Sequence, residues 1–80
     1  MNKSLLELLE EEKKEITNIR FARESSADFL RYIEEKIPGY EESSCRRIAR
    51  DYEEQAKSSE ERLTEIRKEL KQYLSFLMKL

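Results

Sequence analysis

Arginine and serine side chains occur near the middle of each half of this 80-residue chain. Together these groups can hold phosphate oxygens, because a guanidinium donates several N–H bonds in a fixed plane and hydroxyls add further donors. This central polar belt consists of Arg20, Arg23, Ser26, Ser59 and Arg62. It predicts an anion or nucleotide site between subunits, or a contact with a protein partner. More simply, Arg23 reaches out to Glu24, Glu60 or Glu61, or it fixes the register of the helices.

A second cluster of basic and hydroxyl groups follows the only Pro-Gly pair of the chain. Its members are Tyr40, Ser43, Ser44, Arg46, Arg47 and Arg50. The free amides at a helix start could hold a phosphate there, and Tyr40 could stack on a base. The simpler interpretation is that these arginines pair with Glu and Asp side chains one turn away. The turn cluster is therefore an alternative anion site or an ordinary charged helix face.

The composition excludes most other site chemistry. The chain has no His and one cysteine, Cys45, so we expect no metal site, no His-based catalysis, no internal disulfide and no cofactor. Sixteen basic and eighteen acidic residues give a net charge of −2, which does not favour binding to DNA or RNA. No stretch is apolar enough to enter a membrane, and no signal peptide is recognisable. We expect a cytoplasmic protein that is not an enzyme.

The elements that must position these side chains are helices, since 42% of the residues are charged and Pro38-Gly39 is the only strong chain break. The pattern predicts one all-α domain, an antiparallel helical hairpin. Helix one should span about residues 4–37, with Ser4 as N-cap and Gly39 in the left-handed C-cap conformation. The turn should span 38–41 and helix two about 42–80. A rival interpretation breaks each helix at its serine pair, 25–26 or 58–59, but the heptad pattern of the second half continues through its pair.

Heptad spacing predicts which residues face the other helix. In helix two the predicted seam is Cys45, Ala49, Tyr52, Ala56, Ser59, Leu63, Ile66, Leu70, Tyr73, Leu77 and Leu80. In helix one it is Leu5, Leu9, Glu12, Ile16, Ile19, Arg23, Ser26, Leu30, Ile33, Ile37 and Tyr40. This alignment places Arg23 at a core position opposite small residues.

Apolar residues outside these seams predict self-association. They include Leu6, Leu8, Phe21, Phe29, Tyr32, Ile48, Leu74, Phe76 and Met78. Two helices cannot cover them all, so we expect a homo-oligomer, at least a dimer, that forms a helical bundle.

Two functions are compatible with such an oligomer. The first is a small interaction protein, an adaptor, regulator or inhibitor that binds a protein partner. The alternative is a sponge of the phage counter-defence type, which sequesters an anionic small molecule such as a nucleotide or cyclic nucleotide at Arg- and Ser-lined subunit interfaces. The comparison with such sponges is one of architecture alone.

Overall fold

The computed structural model describes residues 3–79, which form two long helices folded back on each other. Helix α1 spans Leu5–Glu34 and helix α2 spans Glu42–Met78. The hydroxyl of Tyr73 donates to the carbonyl of Lys3, so the start of α1 lies beside the end of α2. The predicted helical hairpin is confirmed. Both helices run without a break through their serine pairs, which excludes four short helices.

The hairpin is thin and elongated. It measures 61 × 15 × 14 Å, and its radius of gyration is 17.8 Å. A compact domain of this length has a radius of gyration of about 12 Å. Most side chains therefore lie at or near the surface, and only a narrow strip between the helices is buried. No helix within residues 3–79 is both long enough and apolar enough to cross a bilayer.

Helix α1 begins where the sequence predicts and ends earlier. The Ser4 hydroxyl accepts a bond of 3.2 Å from the amide of Glu7 and caps the helix. At the other end Lys36 has a positive φ of 52°, and its amide donates to the carbonyl of Ile33. The amide of Ile37 reaches back to the carbonyl of Tyr32 at 3.1 Å. These two bonds form a Schellman motif, which stops the helix at Glu34 instead of residue 37.

The predicted role of Gly39 was wrong, because Lys36, the residue after the C-cap Glu35, takes the left-handed conformation that ends the helix. Gly39 serves the following turn instead. The amide of Tyr40 donates to the carbonyl of Ile37 at 3.4 Å, with Pro38 and Gly39 at the two central positions. Gly39 has a φ of 91°, as the third residue of a type II turn requires. The connection therefore spans residues 35–41, and α2 begins at Glu42 as predicted. Its predicted end at Leu80 lies outside the described residues; the helix ends at Met78.

The heptad seam predicted for α2 is confirmed over most of its length. Its buried residues are Cys45, Ala49, Ala56, Ser59, Leu63, Ile66 and Leu70. Tyr52 and Tyr73 are partly buried, and Leu77 is exposed. Ile66 and Leu70 pack with Leu8 of α1 into one small cluster near the open end of the hairpin, with Leu5 and Tyr73 against it.

The seam predicted for α1 was wrong at alternate positions. The buried residues are Leu8, Glu15, Ala22 and Ser26. At four predicted seam positions the side chain is exposed and the residue just before it is buried or partly buried instead. The exposed residues are Leu9, Ile16, Arg23 and Leu30, and residues 8, 15, 22 and 29 take their places. The small side chains of Ala22 and Ser26 in α1 and of Ala56 and Ser59 in α2 are all buried near mid-length of the hairpin. Side chains this small let packed helices approach closely, which accounts for the rotation of α1 even though it buries the charged Glu15.

Candidate functional site

The structure brings part of the predicted belt together. Ser26 and Ser59 are both buried between the helices, and Arg62 donates through Nη2 to Oγ of Ser59 at 3.0 Å. Arg23 of α1 forms an ion pair with Glu60 of α2. Arg20 is exposed and forms no ion pair with any residue between 3 and 79. The belt therefore consists of two buried serines, one on each helix, flanked by two separate cross-helix ion pairs.

The core position predicted for Arg23 was wrong. Its side chain is half exposed, and so is that of Glu60. Arg23 follows Ala22, which occupies the seam in its place and leaves the guanidinium beside the seam rather than in it. The pairing with Glu60 is one of the outcomes that the sequence favours. The Arg23 guanidinium is therefore partly exposed to solvent and has Glu60 as an acceptor.

The buried charge of the belt is Glu15, a residue outside the set predicted from the sequence. Only 7% of this residue is exposed. Its Oε2 accepts from Nε of Arg62 at 2.8 Å, and its Oε1 accepts from the amide of Asn18 at 3.2 Å. Both carboxylate oxygens are thus hydrogen-bonded, as a buried charge requires. The available signal was the exact heptad spacing of Leu8, Glu15 and Ala22, hidden by the surrounding acidic and basic run.

Glu15, Asn18, Ser59 and Arg62 form one network, which we call the Glu15 cluster. It ties α1 to α2 at mid-length, because Glu15 and Asn18 belong to one helix and Ser59 and Arg62 to the other. The guanidinium of Arg62 already bonds one carboxylate and one hydroxyl. An anion at this position would have to compete with Glu15 for Arg62 in a partly solvated setting. The cluster is arranged to hold the helices in register.

Two open grooves flank Arg62, and carboxylates outnumber cations in both. The first has a volume of about 680 Å³ and is lined by Asn18, Phe21, Asp51, Glu54, Gln55, Ser58, Ser59 and Arg62. The second, of about 660 Å³, is lined by Lys3, Glu11, Lys14, Glu15, Ser58, Glu61, Arg62, Glu65, Ile66 and Glu69. In the second groove a hydrogen bond from Lys3 to Glu11 raises the pKa of the Lys3 ammonium. The local field on this side of the hairpin therefore opposes a free anionic ligand.

The turn cluster is largely paired within itself. Ser43 donates to Glu41 at 2.6 Å, and Arg46 donates through Nε and Nη2 to one oxygen of Glu42 at 3.1 and 2.9 Å. Arg47 and Arg50 are exposed, and Ser44 is half-buried. The carboxylates Glu41 and Glu42 also stand at the helix start, where an anion would have to bind. The i,i+4 pairing expected from the sequence is present at Arg46.

Tyr40 belongs to an aromatic cluster that closes the turn end of the hairpin. Its ring lies 4.5 Å from that of Tyr32 and 6.4 Å from that of Phe29, measured between centroids. Phe29 in turn stacks on Tyr52 of α2 at 6.2 Å. Tyr40 therefore has aromatic neighbours within the chain, although 46% of the residue is exposed. The cluster joins the turn to both helices.

Large apolar side chains are exposed at the open end of the hairpin. The most exposed are Leu6, Leu9, Leu74, Phe76, Leu77 and Met78. Phe76 is 62% exposed and Met78 is 86% exposed. Phe21 and Leu30 are the comparable residues nearer the turn. Exposed large apolar side chains in this number, gathered at one end, are typical of an interface.

Residues 3–79 contain no group of three or more acidic or cysteine side chains placed to hold a metal ion. Cys45 is buried between the helices next to the turn. Comparison of the chain with protein-family models, with curated proteins and with solved structures found no match. Similarity therefore assigns this chain neither a family nor an activity.

Proposed function

We propose that this chain is a small non-enzymatic interaction protein that acts as a homo-oligomer and binds a protein partner, as an adaptor, regulator or inhibitor does. The observation that carries this proposal is the mismatch between a very small core and a large exposed apolar surface. The buried cluster contains only Leu8, Ile66 and Leu70, with Leu5 and Tyr73 against it. Within residues 3–79, ten large apolar side chains outside this cluster are exposed.

The energetic argument follows from the size of that core. Burying one Leu or Ile stabilises a fold by about 1.5–3 kcal/mol, whereas ordering each residue costs about 1–2 kcal/mol of backbone entropy. Most other buried positions of the hairpin are Ala, Ser or Cys, which contribute little apolar area. A lone hairpin of this kind is therefore marginal. Association of two or more copies would bury the remaining leucines and phenylalanines and supply the missing stabilisation.

Charged side chains outside the apolar regions support a role in partner binding. Carboxylates outnumber cations in the grooves beside Arg62, whereas Arg47 and Arg50 are exposed nearer the turn, so the charge pattern varies along the hairpin. Such patterns select protein partners by electrostatic complementarity. They also keep an assembly with an apolar centre in solution.

The proposal is tested by thermal unfolding over a hundredfold range of protein concentration, followed by circular dichroism. Folding of an obligate oligomer is coupled to association, so its melting temperature should rise by about 5–10 °C across that range. The charged variant Leu74→Lys should flatten this dependence. A melting temperature that is independent of concentration, with full helix content, would contradict the proposal.

A further inference from the structure

We infer that a second copy of this chain packs on one particular side of the hairpin, with the two-fold axis parallel to the helices so that like ends lie together. This inference rests on the proposed function and names the surface through which the copies associate. The surface, which we call the stripe face, is formed by Leu9, Ile16, Arg23 and Leu30 of α1 and by Glu60, Arg67 and Leu74 of α2.

The first observation is the regular spacing of the stripe on α1. Leu9, Ile16, Arg23 and Leu30 follow one another at intervals of seven residues, so they share one side of the helix. Three of them are large and apolar, yet Leu9 and Leu30 are close to half exposed and Ile16 is 36% exposed. An apolar heptad stripe outside the internal seam is the pattern by which helices pack against a further helix.

The second observation is that α2 continues the same apolar surface. A groove of about 440 Å³ near the open end is lined by Leu5, Leu9, Glu12, Arg67, Leu70, Lys71 and Leu74. Leucines dominate its lining, and Glu12 and Arg67 cross it as an ion pair of 3.1 Å. Residues of both helices therefore contribute to a single face, wide enough to seat a second pair of helices.

The third observation is the contrast with the other side of the hairpin. That side carries the Glu15 cluster and the two grooves in which carboxylates outnumber cations. Two copies meeting there would bring like charges together, which is unfavourable. On the stripe face the charges instead occur as cross-helix pairs, Arg23 with Glu60 and Glu12 with Arg67.

Charge complementarity selects the direction of packing. With the axis along the helices, α1 of one copy faces α2 of the other at the same level. Arg23 then meets Glu60 of the partner subunit as well as its own, and Glu12 meets Arg67 of the partner subunit. With opposite ends together, the two-fold axis would be perpendicular to the helices, and α1 of one copy would face α1 of the other. Arg20 and Arg23 would then lie near that axis, against the same arginines of the partner subunit. The apolar open end would then face the polar turn.

The area of the face is sufficient for a stable dimer. A side 61 Å long and 14 Å wide presents on the order of 850 Å², close to the roughly 800 Å² per partner that stable interfaces bury. The resulting four-helix bundle would bury the leucines of both open ends in one apolar region.

The arrangement is tested by distances between spin labels attached to single cysteines at Gln72 or Arg47, in a Cys45→Ala background. Both positions are exposed, the first near the open end and the second near the turn. Like ends together should give about 20–35 Å at both positions, from the width of a four-helix bundle. Opposed ends would give about 40 Å or more at both, and end-to-end contact would give a short distance at Gln72 and one beyond about 80 Å at Arg47. Either of the last two results would overturn the inference.

A matched pair of variants tests which side of the hairpin forms the interface between the two copies. Ile16→Lys introduces a charge into the stripe face, whereas Phe21→Lys makes the same change at the more exposed Phe21 on the opposite side. Ile16→Lys should raise the Kd of the dimer about tenfold or more, and Phe21→Lys should leave it within about threefold. Equal weakening by both, or weakening by Phe21→Lys alone, would overturn the inference while leaving self-association intact. A parent protein that stays monomeric would overturn the proposed function as well.

Discussion

The middle and the open end of the hairpin differ in the side chains that lie between the two helices. In the middle, Ala22, Ser26, Ala56 and Ser59 let the helices approach closely, and ion pairs close the seam on either side. At the open end, leucines fill the space between the helices and more leucines remain outside. The middle is complete as a two-helix structure, and the open end is not.

This difference separates the residues that set the register from those that supply stability. Small and polar side chains contribute little hydrophobic free energy, but they allow only one alignment of the two helices. The large side chains supply most of the free energy, and part of it is realised only when another surface covers them. Substitutions in the two regions should therefore differ in size and in their dependence on concentration.

The largest effect is expected at the open-end core. Leu70→Ala should lower the free energy of unfolding by about 2–5 kcal/mol, because it leaves a cavity beside Leu8 and Ile66. Urea unfolding followed by circular dichroism measures the change. Leu6→Ala, at an exposed position on the same end, is the matched control and should cost less than about 1 kcal/mol. Similar losses for both would show that Leu70 is not part of a core.

Overfilling the middle should have the next largest effect. Ala56→Leu adds a large side chain at a fully buried position of the seam, and it should cost about 1–3 kcal/mol. Lys57→Leu places the same side chain at the neighbouring exposed position and should stay within about 0.5 kcal/mol. The same unfolding measurement applies. A neutral Ala56→Leu would mean that the seam has room and that close approach does not fix the register.

The Glu15 cluster should respond differently to removal of each partner. Arg62→Ala leaves the buried Glu15 with one hydrogen-bond donor and should cost about 1–2 kcal/mol, reduced by the solvent exposure of Arg62. Glu15→Leu removes the buried charge altogether and should be neutral or stabilising. Unfolding of both variants and of the double variant gives the coupling between them. A large loss for Glu15→Leu alone would show that the carboxylate itself supplies stability.

The smallest effect is expected from phosphorylated ligands. For an interaction protein, nucleotides and cyclic nucleotides should leave the melting temperature of the parent protein unchanged. A sequestering function through the belt predicts a rise that Arg20→Ala, Arg23→Leu and Arg62→Ala each reduce. A rise that all three variants retain would point to the turn cluster around Arg46 and Arg47. A thermal-shift screen on the four proteins makes this distinction.

The sequence predicts the fold well because its strongest signals are local. Pro38-Gly39 marks the only strong chain break, and the spacing of small and apolar residues in α2 has no competing phase over residues 52–70. In α1, Leu8-Leu9 and Phe29-Leu30 each offer two adjacent apolar residues, so a seam can be drawn in two phases. The choice depends on the contact with α2, which local spacing does not contain. The left-handed Lys36 is likewise fixed by its bonds to the end of α1.

The contacts of the belt can be predicted from the sequence only where they depend on local spacing or on the density of charge. Pairing of Arg23 with a glutamate on α2 follows from the density of charge, and Glu60 is among the expected partners. Burial of Glu15 depends on the rotation of α1, so a run of charged residues gives no direct sign of it. Arg62 and Ser59 come together because they lie one helical turn apart, which the sequence does show.

Sedimentation equilibrium at micromolar concentration tests the central claim most directly, because it measures the mass of the species in solution without reference to its shape. One chain has a mass of 9.7 kDa. Self-association through the exposed apolar surface predicts a species of twice that mass or a larger multiple, together with full helix content. A well-folded species at the mass of a single chain would contradict it.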